Sequence, residues 1–167
     1  MVAAHVLDLG ETSAVVTSDT SVDEKSVPGP MVQTLAISER LGELADYGCR
    51  VVLLLDGVHN PAPAGFASKI KPWVRDLQLH RRVITFVASK EGPGEIDVPS
   101  QHGIFALGVL SAFRQVVAPG KAEDQPLTLE EFARAVQQMV LDLSGRQQEA
   151  SCYIPRGVPP QSFFARP

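Results

Sequence analysis

Val51-Val52-Leu53-Leu54-Leu55-Asp56 is apolar on both alternating faces and too short for a helix, the pattern of a central parallel strand covered on both sides. Polar chemistry begins where it ends, in Gly57-Val58-His59-Asn60. Upstream, Val32, Leu35, Ala36, Leu41, Leu44 and Ala45 recur at helical spacing. Pro30 suits a first turn and Gly48 a left-handed C-terminal cap. Before that helix, Val2 to Leu9 and Ala14 to Thr17 read as strands joined near Gly10-Glu11. Thr20 to Pro30, lacking apolar periodicity, reads as a surface loop.

Downstream, Asn60 to Gly65 is a loop by composition, and Phe66 to Leu79 is a helical segment that Pro72 should shorten or split. Arg82 to Ala88 is a second buried strand, followed by a loop over Ser89 to Gln101. Ile104, Phe105, Leu107, Leu110, Ala112, Phe113 and Val116 mark a helix starting at Gly103. Thr128 and Glu131 form a capping box for an amphipathic helix through Leu143, ending at Gly145. A Pro-rich irregular tail over 146–167 holds a short strand at Cys152 to Ile154. Strands alternating with helices predict one α/β domain over 1–167, with a mainly parallel sheet and helices on both faces.

The 167 residues, 44% of them hydrophobic, suit one domain, and no apolar run approaches the roughly 20 residues that span a bilayer. The N-terminus lacks signal-peptide order, so the expected setting is cytoplasmic, with no membrane partner. Lys+Arg 15 against Asp+Glu 19 leaves no basic excess for nucleic acid, and Arg81-Arg82 reads as an isolated pair beside a strand. Cys49 and Cys152 form neither a CxxC pair nor a zinc pattern, and no metal or cofactor is expected. Gly92-Pro93-Gly94 lacks a central amide and is a poor phosphate loop.

In order along the chain, several segments resemble the caspase-like cysteine peptidases, including bacterial caspase homologues and metacaspases. Ala3-Ala4-His5-Val6 is similar to the strand that ends in the catalytic His-Gly, and Ala14 to Asp19 to the short strand and Asp that follow. Val52 to Asn60 resembles the nucleophile segment. Val87-Ala88-Ser89 and Gln101 to Leu110 resemble the small-subunit strand and the helix entered through His-Gly. Leu127 to Phe132 resembles the Thr-capped helix after it. The spacing agrees, since such a histidine lies about 50 residues before its cysteine and His5 precedes position 58 by 53 residues.

The resemblance implies that His5 stands at the catalytic histidine position, and that Glu95 and Asp97 lie in a loop receiving a basic substrate side chain. Asp56 and Ser89 would line the same cleft, with Asp56 holding loop amides. Two departures matter. Val58 replaces the cysteine and cannot attack a carbonyl. Val6 replaces the glycine beside the expected oxyanion site. His59 reads as a solvated loop histidine, and His102-Gly103 as a helix start.

The expectation is a catalytically inactive, caspase-like domain that binds a protein or peptide or regulates an active homologue, as a homodimer or beside a caspase-like chain. The alternative is an active hydrolase with a displaced nucleophile, Ser89 or a cysteine working with His5, cleaving after basic residues. The resemblance also implies strands before the histidine strand. The fold would then be incomplete at its N-terminal edge, with Val2 to Leu9 open to strands from another chain or an upstream segment.

Overall fold

The structure, a computed structural model, describes residues 5–8, 13–16, 31–56, 66–89, 96–97, 102–117 and 128–158. They form a mixed α/β chain in the order β1 (His5–Asp8), β2 (Ser13–Val16), β3 (Met31–Gln33), α1 (Thr34–Asp46), β4 (Val52–Leu55), α2 (Phe66–His80), β5 (Ile84–Val87), β6 (Ile96–Asp97), β7 (His102–Gly103), α3 (Ile104–Val117), α4 (Leu129–Leu143) and β8 (Ser151–Tyr153).

β5 is the organising strand. It pairs in parallel with β4, Val52 opposite Ile84 and Leu55 opposite Val87. On its other edge it pairs antiparallel with β8, Thr85 opposite Tyr153. Because side chains alternate along a strand, its two faces have different partners. Ile84, Phe86 and Ala88 pack with Ile104, Phe105 and Ala112 of α3 and with Phe132, Val136 and Val140 of α4. On the opposite face Val83 meets Leu77, and Val87 meets Ile70 and Val74, all from α2. Helices therefore cover both faces, as the alternation predicts.

The expectation of a mainly parallel sheet is corrected. Among the described strands only β4 and β5 are parallel, in a sheet of order β4-β5-β8. β1-β2-β3 is a separate antiparallel sheet, and β6-β7 an antiparallel pair. The reason lies in the connections. A single helix, α2, returns the chain to the starting end of the sheet and yields a parallel neighbour. Two antiparallel helices in succession, α3 and α4, bring it back to the end it left, so β8 enters reversed. Counting strands and helices along a sequence does not weigh that difference.

Local signals decide several boundaries. α1 ends with the Gly48 amide donating to the Ala45 carbonyl and Cys49 to Leu44, with φ +83 at Gly48; this double closure makes glycine the favoured residue there. α4 repeats the device at Gly145, and its Thr128–Glu131 capping box is complete. Val32, expected to begin the helix, lies in β3, and α1 starts at Thr34. His102 and Gly103 likewise form β7, and α3 begins one residue later than expected.

Pro72 neither shortens nor splits α2, which runs unbroken from Phe66 to His80. Pro72 itself is exposed, while Ile70, Val74 and Leu77 are buried on the sheet side. Burial of side chains of this size, about 1.5 to 3 kcal/mol each, outweighs one missing hydrogen bond. Of the expected 146–167 tail, residues 151–153 form β8 inside the main sheet. The expected loop over Thr20 to Pro30 lies outside the described residues.

Candidate functional site at the carboxyl end of the parallel strands

In open sheets with parallel strands, loops converge beyond the carboxyl ends of the strands, and ligands collect there. β4 and β5 end side by side. The last rung between them is the Ala88 amide donating to the Leu55 carbonyl at 2.9 Å. Asp56 follows on one strand, and Ala88-Ser89 on the other. Asp56 is 6% exposed, and both it and Ser89 make polar or electrostatic contacts of their own. A buried carboxylate engaged in this way suits the expected role of holding backbone in place.

A residue missed by sequence reasoning completes this end of the sheet. Gln148 is buried, and its Nε2 donates to the Ala88 carbonyl at 2.7 Å; its own amide donates to Ser144 Oγ at 3.0 Å. It thereby ties the exit of β5, next to Ser89, to the turn that closes α4. Gln148 follows Gln147 in a polar turn, and no local sequence signal separates the two. Only the path of β8 makes one of them internal.

The other described candidates lie on other sheets. His5 opens β1 instead of ending a strand, and its partner is Val16 in the antiparallel β1-β2-β3 sheet; Val6 lies opposite Val15. Neither is in the sheet that carries Asp56 and Ser89. Asp97 lies in β6 opposite His102 of β7, in the two-stranded pair that runs directly into α3. Val58, His59 and Glu95 lie outside the described residues. The structure thus brings Asp56 and Ser89 to one strand end and leaves His5 and Asp97 on other sheets.

The two thiols stand away from that end or are chemically quiet. Cys49 is exposed, just before β4 at its amino end. The whole of β4 lies between it and Asp56, four residues that span about 13 Å at the usual rise per residue. Cys152 lies in β8 opposite Phe86 and packs against the α3–α4 core. Burial, with a smaller contribution from the Glu130 charge, pushes its thiol up to about 12, so it stays protonated at neutral pH and is a poor nucleophile. Among the described residues no three His, Cys, Asp or Glu side chains come together to hold a metal ion, and no helix is long and apolar enough to cross a membrane.

No protein-family model matches the chain, and no curated protein and no solved structure matches it either.

Proposed function

We propose that the chain is a catalytically inactive caspase-like domain that works by binding a peptide or protein segment, or by regulating an active homologue. The observation that carries this reading is Val58. It stands two residues beyond the buried Asp56 that closes β4, where the resemblance calls for a cysteine. A branched hydrocarbon there offers neither a lone pair for attack nor a proton to exchange. Peptide recognition survives such a loss, because strand addition and side-chain pockets need no nucleophile.

The parallel β4–β5 pair with polar residues beyond its carboxyl end supports a cleft at that place. The placement of the thiols weighs against a displaced cysteine, since Cys49 is at the wrong end of β4 and Cys152 is half-buried with its thiol pKa pushed up to about 12. We assign the cleft's preference for Arg or Lys to Glu95 and to Asp97, which lies on β6 outside the β4-β5-β8 sheet, through charge-assisted hydrogen bonds.

Fluorescent peptides carrying Arg, Lys or Asp are the test. The Arg and Lys peptides bind without being cleaved, and the double variant Glu95→Gln, Asp97→Asn binds them about tenfold more weakly, in line with the loss of a charge-assisted hydrogen bond. Cleavage by the unaltered chain that disappears in His5→Ala would overturn the assignment. In the converse trial, Val58→Cys with Val6→Gly acquires labelling by a thiol-directed peptide probe at position 58.

A further inference from the structure

α2 is held on three sides and open on the fourth. Ile70, Val74 and Leu77 are buried against β5 and its flanks. On one flank Trp73 Nε1 donates to Ser38 Oγ of α1 at 2.7 Å, and on the other Gln78 Nε2 donates to the Ile154 carbonyl, just past β8, at 2.7 Å. Helical geometry gathers the remaining residues opposite the sheet. Pro72, Arg75 and Leu79, three and four residues apart, stand there in one row, with Lys71 one turn before Arg75. Lys71, Pro72 and Arg75 are exposed, and so is Leu79, at 52%.

The charge on this face works against its own helix. Lys71 and Arg75 are a like-charge pair at i,i+4, an arrangement that weakens a helix. Lys69 and Lys71 stand towards the amino end, where the helix dipole favours acids, yet the first turn holds none. At the other end the dipole fades within the last turn, so it favours His80 but does not reach Arg75. Asp76, the one acid in α2, is engaged by His80 at 2.8 Å. Among the described residues no carboxylate pairs with Lys71 or Arg75. The other helices follow the ordinary rules: α4 has Glu130 and Glu131 in its first turn, and α1 pairs Arg40 with Glu43 at 2.8 Å. Cations kept on the body of a helix to its own disadvantage, in a chain of net charge −4, point to a role outside that helix.

We infer that the outer face of α2 is a docking surface for an acidic, amphipathic segment of a partner protein. The partner's carboxylates lie against Lys71 and Arg75, and its apolar side chains cover Leu79 and Pro72. Charge complementarity of this kind fixes register and speeds encounter. A nucleic acid fits less well, because the chain as a whole is negative and repels a dense polyanion. A membrane surface also fits less well, because the apolar side that an interfacial helix would insert is already buried on the sheet. The surface is separate from the peptide cleft and does not require the caspase-like reading.

Fluorescence anisotropy of a labelled synthetic peptide, as long as α2 and carrying Leu and Glu at alternating helical spacing, titrated with the intact chain, tests this. Saturable binding that weakens as salt rises is expected. Lys71→Gln with Arg75→Gln weakens it about fivefold, as the loss of two exposed ion pairs should. Leu79→Ser weakens it at low and high salt alike, and Arg134→Gln on α4 leaves it unchanged. The Lys71→Gln, Arg75→Gln chain also unfolds at a higher urea concentration than the unaltered one, because the like-charge pair is relieved; unfolding at a lower concentration would assign these cations to the fold and overturn the inference. No binding overturns it, as does equal binding by the variants or by a scrambled peptide of the same composition. Tighter binding of single-stranded DNA or of phosphatidylserine vesicles, lost in the same variants, overturns it in favour of a nucleic-acid or membrane surface.

Discussion

Thr85 sits at the centre of β5, fully buried on the face that meets α2, and its Oγ1 has no hydrogen-bond partner. Desolvating a hydroxyl without a partner costs about 1 to 3 kcal/mol, and valine has nearly the same shape. Thr85→Val is therefore expected to stabilise the chain by about 1 kcal/mol, seen as a higher denaturation midpoint at unchanged slope. Gln148 is the opposite case, a buried polar group whose amide is used. Gln148→Leu leaves the Ala88 carbonyl without its donor and is expected to lower stability by about 1 to 3 kcal/mol. Cys152 predicts a pH effect. Its folded pKa, about 12, lies above the roughly 8.5 of a free thiol, so the unfolded chain loses this proton first. The stabilisation is complete below about pH 8.5 and is lost as pH rises towards 12, at most about 1.4 kcal/mol per unit. Urea titrations at pH 8 and pH 10 should show this loss, and Cys152→Ala should reduce it.

Between elements, α3 and α4 approach closely at Gly108. A Cβ built on Gly108 would fall 2.6 Å from Val140 Cγ2 and 3.3 Å from the Val140 amide nitrogen, so neither side can yield without moving backbone. Gly108→Ala is expected to cost about 1 to 3 kcal/mol by overpacking. Adding Val140→Ala should return part of that loss in a double-mutant cycle, a coupling that independent sites would not show. α4 was the element most legible in the sequence. Its apolar stripe, Thr128–Glu131 box and Gly145 are all local, and the structure uses each. β3 and β7 were not legible. Met31–Gln33 and His102–Gly103 are too short to show a period of two, and each runs without a break into a helix whose apolar spacing masks it.

At the scale of the molecule, the alternating faces of β5 join the α1–α2 side to the α3–α4 side through one strand. Trp73, the only tryptophan, reports on the first side, where its Nε1 donates to Ser38 Oγ of α1 at 2.7 Å. Tryptophan fluorescence and far-UV circular dichroism are expected to show coincident urea transitions, since neither side can lose β5 alone. Two separate transitions would show that the faces unfold independently. The mixed α/β class, the helices on both faces and the strands β4 and β5 follow from hydrophobic pattern, which a sequence displays directly. Strand direction and the grouping into separate sheets depend on how connections route through space, which hydrophobic pattern does not encode. The site divides in the same way. Asp56 and Ser89 could be found because they follow recognisable strands, whereas Gln148 becomes internal only through the path of the chain into β8. That late entry also has a consequence in time. During synthesis β4, β5, α3 and α4 leave the ribosome before residues 151–153, so β5 keeps one edge bare until almost the whole described chain is out. The central sheet therefore closes only after most of its partners have been waiting beside it, and a nascent chain stalled short of Tyr153 would offer that edge to chaperones.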